Sequence, residues 1–166
     1  LSLSLFVIGF FFAFVAPSAC YKDFYSPLIL HLDDKSDHVS LVDAWDDSKN
    51  IYFDWVGDGR KERTGWVGPK DGFLIFGKNI ADGTSMFGEY SRILANPGKK
   101  GKNFPNGFAA LKQLDVNHKG MIDSSNTYWK EIHVWVDKNQ DGVAQPSEIK
   151  SLDELGIAEI GLSYQT

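Results

Sequence analysis

The twelve residues from Asp137 to Glu148, D-K-N-Q-D-G-V-A-Q-P-S-E, constrain this chain more than any other stretch. Oxygen-bearing side chains fall at Asp137, Asn139 and Asp141, then at Gln145, and last at Glu148. Along a tightening turn the first three alternate and point inward together. Gly142 follows where the chain must bend sharply and a Cβ would clash. Val143 is expected to offer its carbonyl to the inside and its side chain to the core. Pro146 needs no backbone N–H, so it suits the first turn of a helix leaving the loop. Such a ring of oxygens suits a hard cation that takes about six to eight of them. Three carboxylates (Asp137, Asp141, Glu148) against a divalent charge predict middling affinity.

This side-chain order is that of an EF-hand-type Ca²⁺ loop. The expected ligands are Asp137, Asn139, Asp141, the Val143 carbonyl, Gln145 and Glu148, and Ca²⁺ is the expected cofactor. A weaker loop, DVNHKGMIDSSN, runs over 115–126, with Asp115, Asn117, the Met121 carbonyl and Asp123 as candidate ligands. Its fifth position is Lys119, where an anion belongs, and its twelfth is Asn126. Like charge at ion-pair range repels a cation unless the lysine swings out. The loop is therefore read as a weak Ca²⁺ site or a plain turn. A third stretch puts Asp54, Asp58, Gly59 and Glu62 at positions 1, 5, 6 and 9, but Val56 and Gly65 at 3 and 12. It reads as a vestigial turn without an ion, and 31–38 and 76–85 read as further remnants. Only residues 127–136 separate the two better loops, so a calmodulin-like opening of paired helices is not expected.

Hydrophobic periodicity sets the expected elements. SPLILHLD (26–33), HVSLVDAW (38–45) and NIYFDW (50–55) read as strands between Gly- and Asp-rich turns. FAALKQL (108–114) places Phe108, Leu111 and Leu114 on one helical face. TYWKEI (127–132) fits a helical turn, and HVWV (133–136) alternates as a strand. An exit helix is expected over 146–155, ended by Gly156, and then a final strand over 157–164. The predicted class is α+β: short β-strands and tight turns in the N-terminal half, EF-hand-like calcium loops with short helices in the C-terminal half.

Residues 5–16, LFVIGFFFAFVA, form an apolar run too short for a comfortable membrane span and of the length of a signal-peptide core. Residues 1–20 are thus read as a signal peptide or lipoprotein-type leader, and 21–166 as one calcium-binding domain. Cys20 behind Ser18 and Ala19 resembles a lipidation box, with Pro17 out of place in it. Cleavage after Ser18 and an uncleaved anchor are the alternatives, and each implies an exported domain, secreted, periplasmic or envelope-anchored. Membrane attachment is expected only through this leader or a lipidated Cys20. With a single cysteine no intramolecular disulfide can form, so stability must come from the core and from metal.

The net charge of −5 and the lack of a basic patch beyond Lys99, Lys100 and Lys102 argue against nucleic acid as a partner. The histidines at 31, 38, 118 and 133 show no i, i+4 pair and no accompanying cysteine, which argues against zinc. Trp66, Trp129 and Trp135 lie in alternating or amphipathic runs and are read as core, not as a sugar-binding platform.

Taken in order, SPLILHLD (26–33), YFDWVGDGRKERTGWVGPKDGFL (52–74), IADGTSMFGEY (80–90), GFAALKQLDVNHKGMIDSS (107–125) and IHVWVDKNQDGVAQPSEIKSLDELGIAEIGLSY (132–164) resemble a domain of large bacterial RTX and haemolysin-type secreted proteins. That family includes the self-processing modules of Frp-like RTX proteins. The resemblance implies a series of D-x-[DN]-x-D-G loops that order on binding Ca²⁺. It also implies, in processing members, an Asp-Pro bond whose aspartate attacks its own carbonyl. Here the corresponding pair is Ser26-Pro27, and serine lacks that carboxylate. The expected function is an exported calcium-binding domain, stabilised by Ca²⁺ and without catalysis. The alternatives are a calcium-triggered self-processing or other hydrolytic module, and a calcium-dependent adhesion or protein-interaction module with an unknown partner.

Overall fold

The computed structural model describes residues 5–7, 10–11, 24–33, 38–94 and 101–163. Their strands, in chain order, are β1 (Leu5–Val7), β2 (Phe10–Phe11), β3 (Phe24–Tyr25), β4 (Leu28–His31), β5 (Leu41–Val42), β6 (Tyr52–Phe53) and β7 (Glu62–Arg63). There follow β8 (Trp66–Val67), β9 (Asp71–Phe76), β10 (Met121–Asp123), β11 (Ile132–Trp135), β12 (Ile149–Ser151) and β13 (Glu159–Gly161). A five-stranded antiparallel sheet in the order β1-β4-β9-β11-β12 forms the centre. The two-stranded ribbons β2–β3, β5–β8, β6–β7 and β10–β13 surround it.

The middle strands read LILH, DGFLIF and IHVW. They are apolar at nearly every position because both faces of the sheet are covered. Side chains alternate between the faces. Leu28, Leu30, Leu74, Ile132 and Val134 pack on one side with Phe108, Leu111, Ile122 and Ile160. Ile29, Phe73, Ile75 and Trp135 pack on the other with Phe53, Trp55 and Trp66. Trp66, Trp129 and Trp135 are core residues, as expected. Burying one such large side chain contributes about 3 kcal/mol. Gly72 lets β9 and β11 lie close, since a Cβ there would meet Val134 Cγ1 at 2.4 Å.

The α+β expectation is corrected: the chain is mostly β in both halves. The α-helix among the described residues is α1 (Gly107–Leu111), capped by the Asn106 side chain and prolonged by a 3₁₀ turn at Lys112–Leu114. The C-terminal loops expected to hold calcium are not flanked by pairs of EF-hand helices: α1 and its 3₁₀ extension lead into Asp115, but β10 follows, and strands bound loop 137–148. In place of the exit helix over 146–155 stand a 3₁₀ turn at Pro146–Glu148 and then strand β12. The reason is competition for hydrogen bonds. β12 ladders onto β11 with Ile149 opposite Trp135, and this outweighs a helical pattern of marginal length. A capping box also lies further on. Glu154 Oε2 accepts from the Ser151 N–H, and the Ser151 hydroxyl accepts from the Glu154 N–H. Only one turn follows before Gly156, at φ +68°, ends it.

The leader reading, with Cys20, lies outside the described residues except for β1 and β2, whose backbones pair with β4 and β3. Among the described residues no helix is long and apolar enough to cross a membrane.

Candidate metal centre

Loop 137–148 is the connection of the β11–β12 hairpin, so strands and not helices hold its two ends. The Val136 N–H donates to the Glu148 carbonyl at 3.0 Å and draws the ends together. Asp137 is 0% exposed and organises the turn. Its Oδ1 accepts from the Gln140 N–H at 2.7 Å, and its Oδ2 from the Gly142 N–H at 2.9 Å. The wrap needs left-handed backbone at the fourth and sixth positions, Gln140 (φ +59°) and Gly142 (φ +68°). Glycine takes the sixth at no steric cost.

Two tryptophans of the aromatic cluster donate into the loop. Trp66 Nε1–H bonds Asp137 Oδ2 at 2.8 Å, and Trp135 Nε1–H bonds Glu148 Oε2 at 3.3 Å. Their rings meet edge to face at 5.5 Å. Glu148, 5% exposed, also accepts from the Lys138 N–H at 3.0 Å. Burial pushes the Asp137 carboxyl above its ordinary pKa. The Gly142 amide opposes this, and the negative charge of Glu148 adds to it. No lysine, arginine or histidine side chain bonds Asp137, Asn139, Asp141, Gln145 or Glu148 among the described residues.

These residues fit a hard cation. Two buried carboxylates share a short loop without a positive partner, an arrangement that is costly unless charge is balanced. Gln145 Oε1 is buried and accepts from no donor. The donor set is all oxygen, which suits Ca²⁺ and not zinc. One rearrangement is required. Among the described residues no three His, Cys, Asp or Glu side chains converge in a metal-holding group. The Asn139 and Gln145 amide nitrogens, at 2.9 and 2.8 Å, both sit on Asp141 Oδ2. Rotating these amides would turn their oxygens inward and free Asp141 Oδ2, while Asp141 Oδ1 keeps the Val143 N–H at 2.8 Å. Val143 departs from expectation: its side chain is 49% exposed, not packed in the core.

The same wrap recurs in the weaker loops. Asp115 accepts from the Lys119 and Gly120 amides at 2.9 and 2.8 Å, with His118 (φ +52°) and Gly120 (φ +73°) left-handed. Asp54 accepts from the Gly57 and Gly59 amides at 2.7 Å, with Gly57 (φ +69°) and Gly59 (φ +89°) left-handed. The turn expected to be vestigial therefore keeps the full backbone form of its relatives. Of the other weak-loop candidates, Asn117 is exposed, while Met121 and Asp123 stand in β10. At 76–85 Asp82 caps a 3₁₀ turn, accepting from the Thr84 N–H at 2.9 Å.

Ser26-Pro27 enters β4 beside Glu89. The Ser26 N–H and hydroxyl donate to the two Glu89 oxygens at 2.7 and 2.8 Å, and both residues are buried. Sequence reasoning passed over Glu89, and it read Trp66 as core without its bond to Asp137, which lies 71 residues away with no local motif to link them. The Ser151–Glu154 box was passed over too, although its S-x-x-E spacing is a local signal that could have found it.

Fold and loops together define a β-rich domain built on repeated Asp-led turns. The chain belongs to the SPM-domain family, whose model matches residues 28–166. It is similar to the iron-regulated protein FrpA of Neisseria meningitidis serogroup C, at 34% identity over 145 residues. That alignment covers 85% of this chain and 12% of FrpA, so the chain spans about an eighth of that relative's length. The kinship read from the motifs thus holds, while calcium binding rests on the loops alone.

Proposed function

We propose that this domain is an exported Ca²⁺-binding module of RTX-type proteins, in which the ion at loop 137–148 stabilises the fold. The observation that carries this is the buried pair Asp137 and Glu148 in one hairpin loop, to whose side chains no lysine, arginine or histidine side chain bonds among the described residues. Asp137, Asn139, Asp141, the Val143 carbonyl, Gln145 and Glu148 would hold the ion. Ca²⁺ would supply the missing positive charge and tie the two ends of the hairpin. Because the site forms only in the folded chain, binding energy becomes folding energy.

The domain is not proposed to be catalytic. Ser26 has no carboxylate to attack its own carbonyl, and its hydroxyl is bound to Glu89. Kinship with Frp-type proteins supports export; the apolar run at 5–16 is the length of a signal-peptide core, although Leu5–Val7 within it also pairs with β4. Calorimetry in Ca²⁺ and in chelator tests the reading, with Asp137→Ala/Glu148→Gln as control. The unmodified chain should melt higher in Ca²⁺, and the double variant should not respond. Equal melting temperatures for the unmodified chain in both conditions would sink it.

A further inference from the structure

The loop over 115–126 keeps the wrap of a cation loop but carries Lys119 at its fifth position. In the structure this ammonium does not swing away. Lys119 Nζ donates to Ser125 Oγ at 2.7 Å and reaches Asp123 Oδ2 at 3.4 Å. Asp123 is the ninth position. In loop 137–148 the fifth and ninth positions meet as well, where Gln145 Nε2 donates to Asp141 Oδ2 at 2.8 Å. The same two positions are thus in contact in both loops, with the roles exchanged. One loop has an acid at position five and a neutral donor at nine. The other has a cation at five and the acid at nine.

The closing residue follows the same logic. Glu148 closes its loop as an anion, on the Lys138 amide. Asn126 closes the other as a neutral group. Its Nδ2 donates to the Leu114 carbonyl at 2.8 Å, and its Oδ1 accepts from the Tyr128 N–H at 2.8 Å. Both Asn126 polar atoms are therefore in use without an ion.

We propose that Lys119 is a built-in cation, its ammonium meeting the ninth-position carboxylate that a metal ion would meet, so that loop 115–126 is set without metal and takes none. The inference rests on reading these turns as cation loops, but not on ion binding at 137–148. Lys119 supplies both the amide that Asp115 holds and the charge that Asp123 meets. The loop thereby anchors β10 at all Ca²⁺ concentrations, while its neighbour responds to the ion. A corollary is that the site can be recovered: Lys119→Asp with Asn126→Glu restores acids at positions five and twelve, beside Asp115, Asn117 and Asp123.

Ions bound per chain, counted by equilibrium dialysis with ⁴⁵Ca²⁺, test this. Lys119→Asp/Asn126→Glu should bind one more Ca²⁺ than the unmodified chain, whatever the unmodified chain binds. Asp137→Ala/Glu148→Gln, with Lys119 in place, should bind none. Lys119→Met removes the charge and adds no ligand. It should lower the melting temperature by about 2 °C, equally in Ca²⁺ and in chelator. The inference is overturned by a folded Lys119→Asp/Asn126→Glu chain that gains no ion. It is also overturned by an ion that Asp137→Ala/Glu148→Gln retains and that a further Asp115→Ala change removes, or by Lys119→Met melting like the unmodified chain. Failure of loop 137–148 alone to bind shows instead as no ion in the unmodified chain together with one in Lys119→Asp/Asn126→Glu.

Discussion

Trp66 shows how one side chain serves both core and site. Its ring packs on Phe73 at 4.8 Å, while its indole N–H holds Asp137 Oδ2. Trp66→Phe keeps most of the packing but leaves that oxygen with the Gly142 amide alone. Loss of the hydrogen bond and the small cavity together should cost about 2 kcal/mol. Urea unfolding in chelator measures this, and a variant within about 0.5 kcal/mol of the unmodified chain would remove the indole from the site. Asp153 makes a different argument, about pH. Hydrogen bonds from Lys130 Nζ at 2.6 Å and Trp129 Nε1 at 2.9 Å hold its carboxyl below the ordinary value. A carboxylate lowered in the folded state stabilises above its unfolded pKa and loses that contribution as pH falls through the folded value. The unmodified chain should therefore lose more melting temperature between neutral and strongly acid pH than Asp153→Asn does. Parallel pH curves for the two would show that these bonds add nothing.

The β11–β12 hairpin is where sequence and structure part at the level of elements. The positions that bind the backbone into a turn were legible, because Asp at one and Gly at six have steric and hydrogen-bonding reasons that act locally. So were α1, β11 and the buried face of β4, whose periods are short-range signals. The flanking elements were not legible. A loop of EF-hand order implies helices only by habit, and what leaves the loop is decided by the ladder to β11, which residues 146–155 do not encode by themselves. The cation at Lys119 was visible as a residue but not as a partner of Ser125. The entry to β4 is a further case. A serine before proline reads as a lost reactive group, yet its neighbour Glu89 is supplied from 63 positions away. Ser26→Asp alone would set two buried carboxylates face to face, a costly arrangement. It should melt well below Ser26→Asp/Glu89→Gln, which keeps one acid at the pair. Calorimetry compares the two, and equal melting temperatures would mean that Glu89 moves aside. Mass spectrometry of the same samples should find no Ca²⁺-dependent cut after residue 26 in the unmodified chain.

At the scale of the whole molecule, loop 137–148 is tied to the middle of the structure. β11 lies between β9 and β12, with one sheet face in the aromatic cluster and the other against α1 and the β10–β13 ribbon. An ion that neutralised Asp137 and Glu148 would act on the ends of β11 and β12 and, through Trp66 and Trp135, on the aromatic side of the sheet. Its stabilisation should therefore be global rather than confined to the loop. At a Ca²⁺ concentration about a hundredfold above the dissociation constant, linkage gives about 3 kcal/mol, or roughly 10 °C in melting temperature for a domain of this size. Two probes separate the possibilities. Tryptophan fluorescence follows the aromatic cluster, and hydrogen exchange follows the amides of β4, β9 and β13. Under the linkage account both report the same added stability on Ca²⁺ addition, and slow exchange extends to β4, which is far from the loop in sequence. Protection limited to residues 137–148, with the strand amides and the melting temperature unchanged, would reduce the ion to a local ornament of the hairpin and overturn its place as a determinant of the fold.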